Sequence, residues 1–462
     1  MPAPSPAERA TATPGLRLRP RSDTPFHRPG LRLRAAALAV GTGLLVSCGG
    51  GGGGGSTSVA SDGGSAEPVG SGSVVSGVGG SSGTGTGSST GSSSTSGSTS
   101  GTTASGGAST GTATGTTTGT TASPTDVSAT SLAVLVAEGD PTSEAIARAY
   151  QAARGLSDSQ IIRVALSTAT ETLGEAEFGL LKSRIDAQLG ASTQALLVTW
   201  SQPSRVTGAC TMSLTSALTF GYDNRWCGQC NRTQVSRYYG AATRRPWTDL
   251  GLRPSMMLGA RTLAQAQALI ARGLAAEGAQ TRATSQPQAT LPQGWLLRTS
   301  DSLRSVRWTD MQALATGAAG GATAASRVRW RYQDNSAGAA SDRLSGAADV
   351  MFYLTGLARV PDIGANTYLP GAVADHLTSF GGVLPSAYGQ MPATDWLDAG
   401  LTGSYGTVEE PCNWTEKFPR ASVLAQRYTA GDTLIEAYWK SVQWPGQGLF
   451  VGDPLARPWA PG

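Results

Sequence analysis

The stretch Leu132-Ala133-Val134-Leu135-Val136-Ala137-Glu138-Gly139-Asp140-Pro141, closed downstream by Gly155, decides the fold. Its first five residues are apolar without alternation, as in a strand buried on both faces. Asp140-Pro141 reads as N-cap and first helical residue, and Gly155 as the helix stop. A buried strand followed at once by a helix is the opening of a parallel α/β sheet.

The same rhythm runs to the C-terminus. Further strands are expected at 161–166, 195–200, 255–258, 295–298, 328–332, 350–353, 371–374, 401–406 and 448–451, and helices at 174–189, 262–276, 302–315, 392–399 and 433–441. In the 174–189 helix, Phe178, Leu181, Ile185 and Leu189 share one face. The fold class is therefore α/β: three layers, a mostly parallel sheet with helices on both faces. Two segments break the rhythm. Residues about 201–250 are polar, aromatic and cysteine-bearing and read as an insertion. Residues 356–413 carry dense Gly, Thr, Ser and Pro just after expected strands, where ligands of such sheets bind.

Upstream of the domain the chain changes character. Arg28, Arg32 and Arg34 precede an apolar run, 35–46, too short for an ordinary membrane span. Leu45-Val46-Ser47-Cys48-Gly49 then resembles the bacterial lipoprotein signal, in which the cysteine becomes the lipidated first residue. That resemblance implies a signal peptide over 1–47 and a membrane anchor at Cys48. Gly49, rather than Asp, favours the outer membrane in Gram-negative sorting. Residues 48–125 are almost wholly Gly, Ser, Thr and Ala, too poor in apolar surface to fold, and read as a disordered tether. The domain is expected over 126–462.

Charge excludes one class of partner. Of 35 basic and 31 acidic residues, seven and two precede Cys48, so the exported part is near neutral and no nucleic-acid partner is expected. Four cysteines lie in the domain: Cys210, Cys227, Cys230 and Cys412. In an oxidising compartment an even number implies disulfides, and three pairings are open. Trp226-Cys227-Gly228-Gln229-Cys230 looks like a thioredoxin motif, but a loop precedes it and no apolar helix follows, so structural disulfides are favoured.

Only one histidine, His376, lies beyond Cys48. Multi-histidine zinc sites are excluded, and neither a metal nor a cofactor is expected. Any imidazole-based proton transfer must use His376. Cys412 follows, so a His376–Cys412 dyad is the candidate catalytic pair, oriented by Asp375, Glu409 or Glu410. Ser379 is a weaker nucleophile candidate, since its surroundings are not the Gly-X-Ser-X-Gly elbow. Asp395, Asp398, Glu436 and Asp453 are further carboxylates without metal-site spacing.

Asp375-His376-Leu377-Thr378-Ser379-Phe380-Gly381-Gly382, the 400–414 segment, Gly431-Asp432-Thr433-Leu434-Ile435-Glu436-Ala437 and Gly452-Asp453-Pro454 together resemble an uncharacterised bacterial family that co-occurs with the exosortase protein-sorting system. More distantly, they resemble gingipain-type peptidases of the caspase–hemoglobinase fold. There a His after one strand and a Cys after the next form the dyad, a Glu-Ala helix follows, and Gly-Asp-Pro closes the chain. The resemblance implies a caspase- or gingipain-like sheet, and it can be laid on this chain in two ways. In the first, His376 and Cys412 are the dyad. In the second, the strand order puts Thr355-Gly356 where the His belongs and His376 to Ser379 where the Cys belongs, leaving no dyad. Two function classes follow: a cysteine-peptidase-like hydrolase acting on cell-envelope polypeptides, or a non-catalytic binding or scaffolding lipoprotein that serves surface-protein sorting or exopolysaccharide assembly, with a cell-envelope protein as substrate or partner.

Overall fold

The computed structural model describes residues 125–284 and 290–461. The expected signal peptide, Cys48 and the 48–125 tether, apart from residue 125, lie outside the described residues. Thirteen strands are present among the described residues: β1 Leu132–Ala137, β2 Ile161–Val164, β3 Thr172–Gly174, β4 Ala195–Val198, β5 Arg205–Thr207, β6 Thr211–Ser213, β7 Ser255–Met257, β8 Gln293–Arg298, β9 Arg329–Asp334, β10 Val350–Thr355, β11 Tyr368–His376, β12 Gly403–Thr407 and β13 Gly448–Gly452. Ten form one sheet in the order β2-β1-β4-β7-β13-β12-β11-β10-β8-β9. Every pair is parallel except β12 with β13. The sheet is thus two parallel blocks running in opposite directions, joined at that antiparallel pair.

Burial follows from position in the sheet. β1, β4, β10, β12 and β13 are buried along their whole length, whereas the edge strands β2 and β9 are partly exposed. Helices cover both faces. Phe450 of β13 stacks on Trp439 of the helix Leu434–Ser441, with ring centroids 4.2 Å apart. Its neighbour Val451 points to the other face, where Gly259 brings it close to Leu397 of the helix Thr394–Asp398.

The opening stretch folds as its residues dictate. The Asp140 carboxylate accepts the Thr142 and Ser143 N–H groups at the start of the helix Pro141–Arg154, and Gly155 ends that helix in the left-handed conformation. Elsewhere the elements differ from expectation for local reasons. The 302–315 helix starts only at Trp308, because the chain before it is held in a loop. Asp301 O accepts the Ser305 N–H at 2.9 Å, and Ser305 Oγ turns back to accept the Thr299 N–H at 3.0 Å. The helix Ala421–Thr429 was not expected; it is short and mostly buried between neighbouring helices. The insertion is ordered: β5 and β6 join β3 in a small second sheet, and the helix Leu214–Phe220 packs on β7 and β13.

The two blocks repeat each other. In sheet order the first reads second, first, third, fourth strand (β2, β1, β4, β7), and the second block reads the same (β9, β8, β10, β11). The register makes the repeat residue-specific. Val198 lies between Leu135 and Met257, and Thr355 lies opposite His376 and one residue beyond the Leu354–Leu296 pair. Ala137 N–H donates to Ser143 Oγ six residues on, and Thr299 N–H to Ser305 Oγ six residues on, both at 3.0 Å. In this repeat Thr199 corresponds to Gly356, and Met257 to His376.

Candidate functional site

The expected site region lies at the carboxyl ends of β10, β11 and β12. Gly356 follows β10, and a Cβ there would overlap the Arg304 carbonyl oxygen and crowd the Ser305 nitrogen. The 300–305 loop therefore rests directly on the end of β10. Between β11 and β12, the Gly381 and Gly382 backbone lies so close to Gly406 that no side chain fits at Gly406. Gly382 N–H donates to Thr407 O at 2.9 Å, and Thr407 Oγ1 bonds both Thr378 O and Ser379 O. Backbone, rather than an open cleft, fills this position.

His376 ends β11 and is 1% exposed. Its Nε2–H donates to Met391 O at 3.0 Å, and its Nδ1 accepts the Trp396 indole N–H at 3.0 Å. Those partners assign the neutral tautomer. Burial lowers its pKa to about 3, the Met391 carbonyl opposes this, and Arg307, Arg304 and Arg359 add to it. A ring with both nitrogens engaged and no proton affinity near neutrality is a poor general base. Asp375 does not orient it. That buried carboxylate lies 2.5 Å from Arg307 Nη2, and burial raises its pKa while Arg307 opposes. Arg307 also donates to the carbonyls of Thr355 and Pro419, tying the end of β10 to the loop at 419.

Cys412 is bonded to Cys230, and Cys210 to Cys227. The His376–Cys412 dyad is therefore not assembled: the sulfur is spent in a disulfide and the imidazole in the core. The thioredoxin-like pair is not a pair either, since Cys227 and Cys230 reach to different partners. Tetrahedral zinc on the four cysteines would need thiolates that these bonds consume.

The carboxylates considered as helpers are structural. Glu409 accepts three backbone N–H groups, from Thr211, Gly228 and Gln229, at 3.0, 3.1 and 2.9 Å, and so clamps the insertion onto β12. Glu410 accepts the Cys412 N–H at 2.9 Å. Lys417 completes this corner; it is fully buried and donates to Gln229 O, and burial lowers its pKa to about 8 against the pull of Glu409 and Glu410. Glu436 receives Thr433 N–H at 3.0 Å in a capping box and lies 3.3 Å from Lys440. Asp453 takes the Tyr150 hydroxyl at 2.8 Å and Arg154 Nη2 at 2.5 Å, pinning the first helix to the last strand. Asp395 and Asp398 face Arg359 and Arg261 at the surface. Ser379 is half-buried, and no neighbouring imidazole is free to serve it.

The matching position in the first block is different. Between the carboxyl ends of β1 and β4 lies an open crevice of about 190 Å³, lined by Asp140, Thr168, Trp200, Ser201, Gln202 and Arg261 among others. In the sequence, Asp140 reads only as a helix cap and Trp200 as the end of a strand. The signal for this crevice was the strand order: the chain leaves β1 for β2 on one side and returns to β4 on the other, the switch point where such sheets bind ligands.

No protein family model matches the chain, and no curated protein does. A solved chain described as "Structure of Protease" is similar over 71% of this chain and 78% of its own length, at 9% identity and a TM-score of 0.34. A likeness that distant carries no argument about activity.

Proposed function

We propose that this chain is an exported, lipid-anchored protein of the cell envelope whose gingipain-like α/β domain is non-catalytic and works by binding a protein partner. One observation carries the reading: the domain's lone imidazole is a neutral core group while the candidate nucleophile is a disulfide sulfur. A cysteine peptidase needs both free and facing one cleft. The strand order supports the second way of laying the gingipain resemblance, in which Thr355-Gly356 and His376 to Ser379 hold the dyad positions. The anchor rests on the Cys48 sequence pattern, and the outer membrane on Gly49.

A thiol-directed activity probe on the native, unreduced protein tests the catalytic half. Wild type and the Cys230→Ala/Cys412→Ala double variant, which leaves no partner thiol free, are expected to label equally weakly; strong labelling of Cys412 in wild type would restore the active peptidase. Metabolic labelling with an alkyne fatty acid tests the anchor, with incorporation expected in wild type and lost in Cys48→Ala.

A further inference from the structure

We propose that Lys440 and Asp432 are joined by an isopeptide bond, formed inside the domain without a partner enzyme and assisted by Glu436. Spacing is the first argument. Asp432, Glu436 and Lys440 recur every four residues along the helix Leu434–Ser441 and the turn that leads into it, the interval that brings side chains onto one face. A helical side chain leans towards the N-terminus, and Lys440 reaches past Glu436 to Asp432. Its Nζ lies 2.8 Å from Asp432 Oδ2 and 3.3 Å from Glu436 Oε1. Lys440 is 0% exposed, Glu436 1% and Asp432 4%. The Tyr238 ring, also fully buried, lies 5.2 Å from the ammonium. An amine, the carboxyl it can acylate and a second carboxyl are thus held in contact where water is excluded.

The step balances within these groups. Glu436 takes one proton from the ammonium and leaves Lys440 as a neutral amine, the form that attacks a carbonyl carbon. The amine lone pair makes the N–C bond to Asp432 Cγ. Charge develops on Asp432 Oδ1, which already accepts the Arg244 Nε–H at 3.1 Å, the place where an oxyanion donor is needed. Oδ2 leaves as water, carrying the proton that Glu436 returns and a second proton from the nitrogen. One ammonium and one carboxylate become one amide and one water, and no co-reactant is consumed. Glu436 is suited to hold the proton in transit. Burial raises its pKa and the Asp432 charge adds to this, against Lys440 and two hydrogen bonds from Thr433, the N–H at 3.0 Å and Oγ1 at 2.8 Å. The surroundings favour the amide as well. Buried ions carry a desolvation penalty, and condensation removes two of the three charges on these side chains and sends the water to bulk. Fixed contact supplies the orientation that free amines and carboxylates in water lack. The cross-link depends neither on the fate of Cys412 nor on the anchor.

The test is tryptic peptide mapping by mass spectrometry of the full chain, purified without refolding. Trypsin cuts after Lys440 only while the amine is free. Wild type is expected to give a peptide that starts at Tyr428, runs uncut through Lys440 and is one water lighter than its sequence. Glu436→Gln keeps the size of the side chain and removes the proton carrier. It is expected to be cut after Lys440, giving the 428–440 peptide at full mass, with the far-UV circular dichroism of wild type. Lys440→Arg keeps a positive charge without a reactive amine, and its peptide is expected at full mass. Cleavage of wild type after Lys440, with 428–440 at full mass, overturns the proposal and needs no variant. So does a wild-type 428–440 peptide that has lost water yet is still cut after Lys440, the mark of a succinimide at Asp432. So does a link that forms in Glu436→Gln as fully as in wild type.

Discussion

The two blocks of the sheet share a strand order and a serine whose Oγ accepts the backbone N–H six residues before it, at the end of the first strand, yet one holds an open crevice and the other is packed shut. The difference begins with one residue. After its third strand the first block has Thr199-Trp200, and the second has Gly356-Leu357. Thr199 occupies its own space, bonding Ser143 Oγ and Leu135 O at 2.7 and 2.9 Å. Glycine occupies none, so the 300–305 loop settles onto the strand end, and Thr299 Oγ1 bonds the Gly356 carbonyl at 2.6 Å. Topology places a potential site in both blocks, and side-chain volume decides which stays open.

The comparison breaks most readily at the disulfides: Cys210–Cys227 lies within the insertion between β4 and β7, and Cys230–Cys412 ties that insertion to the segment after β12. Removing the Cys230–Cys412 bond closes no other loop of comparable length: it spans 182 residues, against 17 for Cys210–Cys227. Paired Cys→Ser replacement is expected to cost about 5 kcal/mol for the long bridge and about 3 for the short one, read from urea unfolding. Equal losses would mean that the unfolded chain is already restrained elsewhere.

Next comes the closed strand end. Gly356→Ala is expected to destabilise by about 3 kcal/mol through overpacking against Arg304 O. A neutral result in the same assay would show that the 300–305 loop can lift, and with it that the second crevice can open.

The repeated serines provide a sharper, smaller test. Ser143→Ala and Ser305→Ala each strand a buried backbone N–H, at Ala137 and Thr299. Losses of about 1–3 kcal/mol are expected, and of similar size in the two variants. A large disparity in their melting temperatures would argue against the residue-by-residue repeat.

The last test is a pH slope at the Met257–His376 correspondence. The folded pKa of His376, about 3, lies below its ordinary 6.5. The unfolded chain therefore takes up the extra proton first as the pH falls. Stability from the neutral imidazole is complete above about pH 6.5 and is lost progressively towards pH 3, by at most about 1.4 kcal/mol per pH unit. His376→Met, matching its counterpart Met257, should remove that part of the slope between pH 6 and 4. An unchanged slope would mean that other groups carry the acid sensitivity.

Much of the frame was legible in the residues. The unbroken apolar run at 132–136, the Asp140-Pro141 start and the Gly155 stop act through the nearest few residues, so the sequence by itself determined them, and with them the α/β class. Beyond Cys48, the even count of cysteines and the single histidine, His376, likewise bound the chemistry. Only the tertiary structure decided that Cys412 pairs with Cys230, and that His376 is a core group shared between Met391 and Trp396. It alone decided that Gly356 closes one crevice while Trp200 lines another. The physical reason is range. Caps, turns and periodicity are set by neighbours along the chain, whereas disulfide pairing, desolvation and the space left at a strand end depend on which distant segments come to lie together.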